Sequence, residues 1–164
     1  MEPRRVHTAL MCRLLVLGAC TQVVSVAAGE EHSAATTAEG VLLTWGSGSF
    51  GKLGHGEPGD ESTPKKVQLD GRKVSSISCG YAHSVALCSN YDVLVWGSGF
   101  KGKLGLADDR NRLVPTAITS LKRKHVKAIA CGSFHTLALT DTGDVYSWGI
   151  GERGQLGESA LAFR

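Results

Sequence analysis

Several things that would place this chain in a familiar class are missing from it. Only 4 of 164 residues are proline and 6% are aromatic. The apolar run Ala9 to Ala19 is broken by Arg13 and is too short to cross a bilayer. Charge of one sign is also lacking. The net charge is +3, and Met1 to Cys20, with Arg4, Arg5 and Arg13 against Glu2, supplies +2 of it. The remainder is nearly neutral, so composition gives no support to binding nucleic acid through phosphates. The five cysteines, Cys12, Cys20, Cys79, Cys88 and Cys131, are odd in number and contain no C-x-x-C pair, which argues against a zinc site. No nucleophile elbow or paired-acid motif occurs, and no cofactor is expected.

What is abundant is glycine, 21 residues, and it is periodic. Trp45, Trp96 and Trp148 recur at spacings of 51 and 52 residues. The same period carries Gly29, Gly80 and Gly132; His32, His83 and His135; Gly46, Gly97 and Gly149; Leu53, Leu104 and Leu156; and Gly54, Gly105 and Gly157. A period near fifty residues marks a repeat architecture. Within the middle unit VSSISCG, HSVALCS and VLVWG are short β-rich runs, each closed by a turn signal. Four glycines between Gly97 and Gly105 exclude a helix there. Pro115 then leads into TAITSL, an edge-like strand with proline at its start. Four short antiparallel strands per unit predict an all-β fold of β-propeller blades.

The consensus V-x-x-I-x-C-G-x-x-H-[ST]-x-A-L followed by V-x-x-W-G-x-G-x-x-G-x-L-G resembles the repeat of the regulator of chromosome condensation family, whose members form seven-bladed β-propellers. The resemblance covers Val23 to Gly157, in units of about 23–73, 74–125 and a partial 126–157. A ring of this period needs about 7 × 51 ≈ 357 residues. An incomplete propeller, an open arc, is therefore expected: a truncated isoform, a gene-model fragment, or a piece that closes its ring by self-association through exposed edges.

Residues 1–22 and 158–164 fall outside the repeat. The leader reads as a secretory signal, a mitochondrial presequence, or the irregular remainder of a preceding unit. Cleavage near Val26-Ala27-Ala28 would cut the first repeat strand, which favours the last. Cys79 and Cys131 share one repeat position, where a small hydrophobe packs well. Free buried thiols suit a reducing compartment, the cytoplasm or nucleus.

Three constellations invite a chemical reading. Gly46-x-Gly48-x-x-Gly51 and its two copies match the dinucleotide fingerprint, but Gly, Pro and Asp follow where a phosphate-binding helix would have to run. A turn is expected instead. The three histidines stand at one position of successive units, and each is expected to tie a strand start to a neighbouring loop carbonyl rather than to share a metal. The run Lys122, Arg123, Lys124 and Lys127, and the loop of Asp108, Asp109 and Arg110, are candidate partner-binding segments on connectors. At the turn position of Gly40 and Gly143 the middle unit has Tyr91, so Asn90 is expected to take the left-handed conformation.

The resemblance implies a protein-interaction module, and in some relatives guanine-nucleotide exchange on a small GTPase such as Ran. No insertion of the β-wedge kind lies between Val23 and Gly157, and nothing after Gly157 resembles a HECT-type ubiquitin ligase or a kinase. Light-sensing relatives rely on tryptophans just before the repeat histidine. Here the stretches read GEEH, GYAH and GSFH.

Overall fold

The computed structural model describes residues 22–157, so the leader and tail readings lie outside the described residues. Among the described residues eleven strands form three antiparallel sheets. The first blade is β1 (Val23–Ala28), β2 (His32–Thr37), β3 (Leu42–Gly46) and β4 (Glu61–Lys66). The second is β5 (Val74–Cys79), β6 (His83–Cys88), β7 (Val93–Gly97) and β8 (Arg112–Ala117). The third, among the described residues, is β9 (Val126–Cys131), β10 (His135–Thr140) and β11 (Val145–Gly149). In each blade the strands pair in chain order, the up-and-down arrangement of a propeller blade. Together they make an open arc.

Burial follows from the stacking. All residues of β6 and β7 are buried, because the middle blade is covered on both faces. In β1 exposure alternates residue by residue, as expected of a strand covered on one face only. Side chains of the middle blade divide by the two-residue period of a strand. Ala86, Cys88, Leu94 and Trp96 pack toward the first blade with Leu42, Val67 and Val74. Val85, Leu87, Val93 and Val95 pack toward the third with Leu121, Val126 and Ala138. The middle blade is therefore half of two cores.

Two local expectations are corrected. Pro115 does not start its strand: β8 begins at Arg112 and runs through the proline. This is tolerated because β8 is the outer edge strand and its pairing with β7 shifts register between Val95 and Gly97, so the missing N–H falls at a bulge. At the β6–β7 turn, Tyr91 and not Asn90 is left-handed, with φ of 67°. The turn geometry of Gly40 (φ 83°) and Gly143 (φ 92°) is kept by position. Asn90 instead braces it, its Oδ1 accepting from the Asp92 amide at 3.2 Å, while the Tyr91 ring packs on His125 with centroids 4.9 Å apart.

Candidate functional site

The repeated histidine, hydroxyl and tryptophan form one unit that couples successive blades. His32 Nε2 lies 2.9 Å from Ser84 Oγ in the next blade, and Ser84 Oγ donates to the Lys52 carbonyl at 2.8 Å. Since Ser84 spends its proton there, His32 donates from Nε2 and is the neutral Nε2–H tautomer. Trp96 Nε1 donates to the same Lys52 carbonyl at 2.9 Å. One blade further on the set recurs: His83 Nε2 to Thr136 Oγ1 at 3.1 Å, and Thr136 Oγ1 and Trp148 Nε1 to the Lys103 carbonyl at 3.3 and 3.0 Å. The expected partner of the histidine was a loop carbonyl. A hydroxyl of the next blade stands between them, because the carbonyl's second lone pair is reserved for the indole.

The glycines of the repeat make room for this unit. A Cβ on Gly54, whose φ is 79°, would lie 2.9 Å from Trp96 Nε1, and one on Gly105 (φ 67°) at the same distance from Trp148 Nε1. A Cβ on Gly29 would meet the His32 ring at 2.3 Å and the Gly80 carbonyl of the next blade at 2.6 Å. The imidazoles are thus sealed. Burial, then the Lys52 charge, lowers the His32 pKa to about 4; burial, then the Lys103 charge, lowers that of His83 to about 3. Among the described residues their Nδ1 atoms have no hydrogen-bond partner, so protonation there would strand a buried charge.

The positions flanking this unit stand at the outer faces of the arc. Ser33 and Trp45 of the first blade, and His135 of the third, have no such partner among the described residues. Leu53 and Leu104 are fully buried, whereas Leu156 is half-buried.

The glycine fingerprint makes a single 3₁₀ turn, Ser49–Gly51 and again Phe100–Gly102, and no helix. The Gly48 amide that a phosphate would approach is bound by Asp60 Oδ1 at 2.8 Å, and the Gly99 amide by Asn111 Oδ1 at 3.1 Å. The loop closes on itself. Among the described residues no group of three or more His, Cys, Asp and Glu could hold a metal ion. No helix there is long and apolar enough to cross a membrane. Burial raises the thiol pKa of Cys79 to about 12 and those of Cys88 and Cys131 to about 11; Cys79 and Cys88 are buried and Cys131 half-buried.

Strand order separates the two candidate loop segments. Antiparallel pairing puts the β5–β6 and β7–β8 loops at one end of the arc, and the β6–β7 loop and the β8–β9 connector at the other. Asp108, Asp109 and Arg110 belong to the first end; Lys122, Arg123 and Lys124 to the second, with Lys127 just beyond in β9. The four basic residues are exposed. Lys124 Nζ sits 5.7 Å from the Tyr146 ring centroid. Asp108 is engaged at home, bonded by Arg112 at 2.7 Å and by the Arg110 amide at 3.0 Å, and those bonds hold its carboxyl below the usual range.

The first loop end carries more than those three residues. Tyr81 and Phe134 stack with centroids 5.2 Å apart, and Phe50 and Phe100 stand half-exposed on neighbouring loops. The scarcity of aromatics in the sequence makes this gathering informative, but neighbouring loops had to be folded onto one end before it could be seen.

Comparison with known proteins agrees with this architecture. Two models of the regulator of chromosome condensation (RCC1) repeat match, one over residues 39–87 and 92–139, the other over 23–52, 74–103 and 126–155. The ultraviolet-B receptor UVR8 of Arabidopsis thaliana is 40% identical over 138 residues, 83% of this chain and 31% of the receptor. The E3 ubiquitin-protein ligase HERC2 of Homo sapiens is 44% identical over 142 residues, 85% of this chain and 3% of the ligase. Yeast RCC1 (Prp20), solved with Kap60, superposes with a TM-score of 0.75 at 26% identity, covering 85% of this chain and 35% of that one. The chain spans less than a third of the length of each of these two curated relatives. Its three units, with their histidine, glycine and tryptophan at blade-coupling positions, belong to the regulator of chromosome condensation (RCC1) repeat family.

Proposed function

We propose that this chain is a non-catalytic protein-interaction module, a rigid arc of blades whose loops bind a protein partner. One observation carries the reading: the repeated histidines, hydroxyls and indoles, the residues best suited to chemistry, are spent on coupling one blade to the next. The loop ends are left to differ between units, which is where a rigid scaffold places recognition. Asp109, Arg110 and the basic run Lys122, Arg123, Lys124 and Lys127 are then contact residues, and the cytoplasm or nucleus is the compartment that free thiols favour. Self-association belongs to the same reading. Ser33 and Trp45 on one outer face and His135 on the other are the two halves of the coupling unit.

A second reading, nucleotide exchange on a small Ran-like GTPase, is favoured by the likeness to Prp20p of Saccharomyces cerevisiae, whose structure was described with its binding properties to Gsp1p and histones. Fluorescent-nucleotide release from a Ran-like GTPase decides between them. Release no faster than with an unrelated protein is expected. Strong acceleration would overturn the scaffold reading.

A further inference from the structure

Lys52 and Lys103 occupy the same repeat position, and their side chains meet different surroundings. Lys52, 2% exposed, donates to Glu31 Oε2 and to Ser49 Oγ, both at 3.1 Å. In the middle unit the residue at the Glu31 position is Ala82, and the one at the Ser49 position is Phe100. Lys103 is as deeply placed, also 2% exposed, yet among the described residues its ammonium donates only to Ser98 Oγ at 3.3 Å. Among the described residues no carboxylate replaces Glu31. The neighbouring unit's Glu152 is taken by Lys101 at 2.6 Å.

Around the Lys103 ammonium stand aromatic faces instead. Phe134 lies 5.3 Å from it and Phe100 5.6 Å, both ring centroids, and Tyr81 stacks on Phe134. Two ring faces attract a cation but do not replace a counter-ion, because such contacts are weaker than the desolvation of a buried ammonium. Burial accordingly lowers the Lys103 pKa. The three rings are exposed by 58% at Phe100, 43% at Tyr81 and 39% at Phe134, so an aromatic rim faces solvent beside the buried ammonium.

We infer that the rim of Tyr81, Phe100 and Phe134 over Lys103 is the docking point of a protein partner, which inserts a carboxylate side chain, flanked by an apolar or aromatic residue, where Glu31 stands in the first unit. Charge complementarity fixes the carboxylate, and the first unit supplies its template within the same chain. The rings supply the flanking contact and exclude water from the pair, which strengthens it. The backbone of Lys103 couples blades through its carbonyl, so the side chain is free to serve this second purpose.

This rests on the interaction-module reading and is tested separately from it. An array of random dodecapeptides, with overlapping peptides tiled from this chain's own sequence, is probed with the purified 164-residue protein. The best binders are then measured in solution by fluorescence anisotropy. Bound peptides are expected to share Asp or Glu beside an aromatic or large apolar residue. Lys103→Gln places at this position the residue that the third unit already has, Gln155, and should weaken them at least tenfold. Phe100→Ser, which restores the first unit's Ser49 at an exposed site, should weaken them severalfold. Binders that lack an acidic residue, or that bind Lys103→Gln undiminished, overturn the assignment, as does an array without binders. Binding confined to this chain's own peptides would replace the partner by a second copy and overturn it too. Accelerated nucleotide release would overturn the scaffold reading while leaving the Lys103 result to stand on the array.

Discussion

Acidification from pH 7 to pH 5 should destabilise this arc through two histidines. The folded pKa values are about 4 for His32 and about 3 for His83, against an ordinary 6.5. Between those values the unfolded chain binds protons that the folded chain refuses, so stability rises with pH across the window and is lost as pH falls below about 6.5. At pH 5 the unfolded imidazole is protonated by about 1.5 pH units' worth, or about 2 kcal/mol for each histidine. The two together remove about 4 kcal/mol, a large part of the 5–15 kcal/mol that holds a typical domain. The melting midpoint, followed by tryptophan fluorescence, should fall by roughly 10 °C. A His32→Gln/His83→Gln variant, which keeps a donor for Ser84 and Thr136, should lose most of the slope. A midpoint constant within about 2 °C from pH 7 to pH 5 would refute the sealed-imidazole argument. So would imidazole proton resonances of His32 and His83 that titrate near 6.5.

Other consequences are as direct. Gly54→Ala should cost about 3 kcal/mol in a urea melt, since it adds the Trp96 contact to the left-handed penalty, whereas Gly102→Ala, with open space around its Cβ, should cost about 1 kcal/mol. Equal losses would dissociate the glycine from the tryptophan. Trp96→Phe removes the N–H that reaches the Lys52 carbonyl and part of a fully buried ring, for about 2 kcal/mol of equilibrium stability. Cys79 and Cys88, buried with raised pKa values, should resist iodoacetamide at pH 8 in the native protein and react in urea, as read by peptide mapping. Rapid native labelling of either would mean that the blades open.

The sequence by itself determined the repeat, its period and the all-β blade, because those depend on local chemistry: β-rich runs of five or six residues, glycine at turns and one tryptophan per unit. It also marked His32, His83, Trp96 and Gly54 as positions held in common. What bound those positions together was decided only in three dimensions. His32 and Ser84 are 52 residues apart, and Lys52 joins them through a backbone carbonyl, which no side-chain motif reveals. Tyr91 shows the limit from the other side: its residue type argues against a left-handed turn, and the hairpin geometry imposes one regardless. The contrast between Lys52 and Lys103 needed both levels. The sequence aligns Glu31 with Ala82, and only the packing of blade on blade leaves one ammonium paired and the other beneath aromatic rings. Local pattern specifies each blade, and the surface proposed to meet a partner is made by the stacking of several.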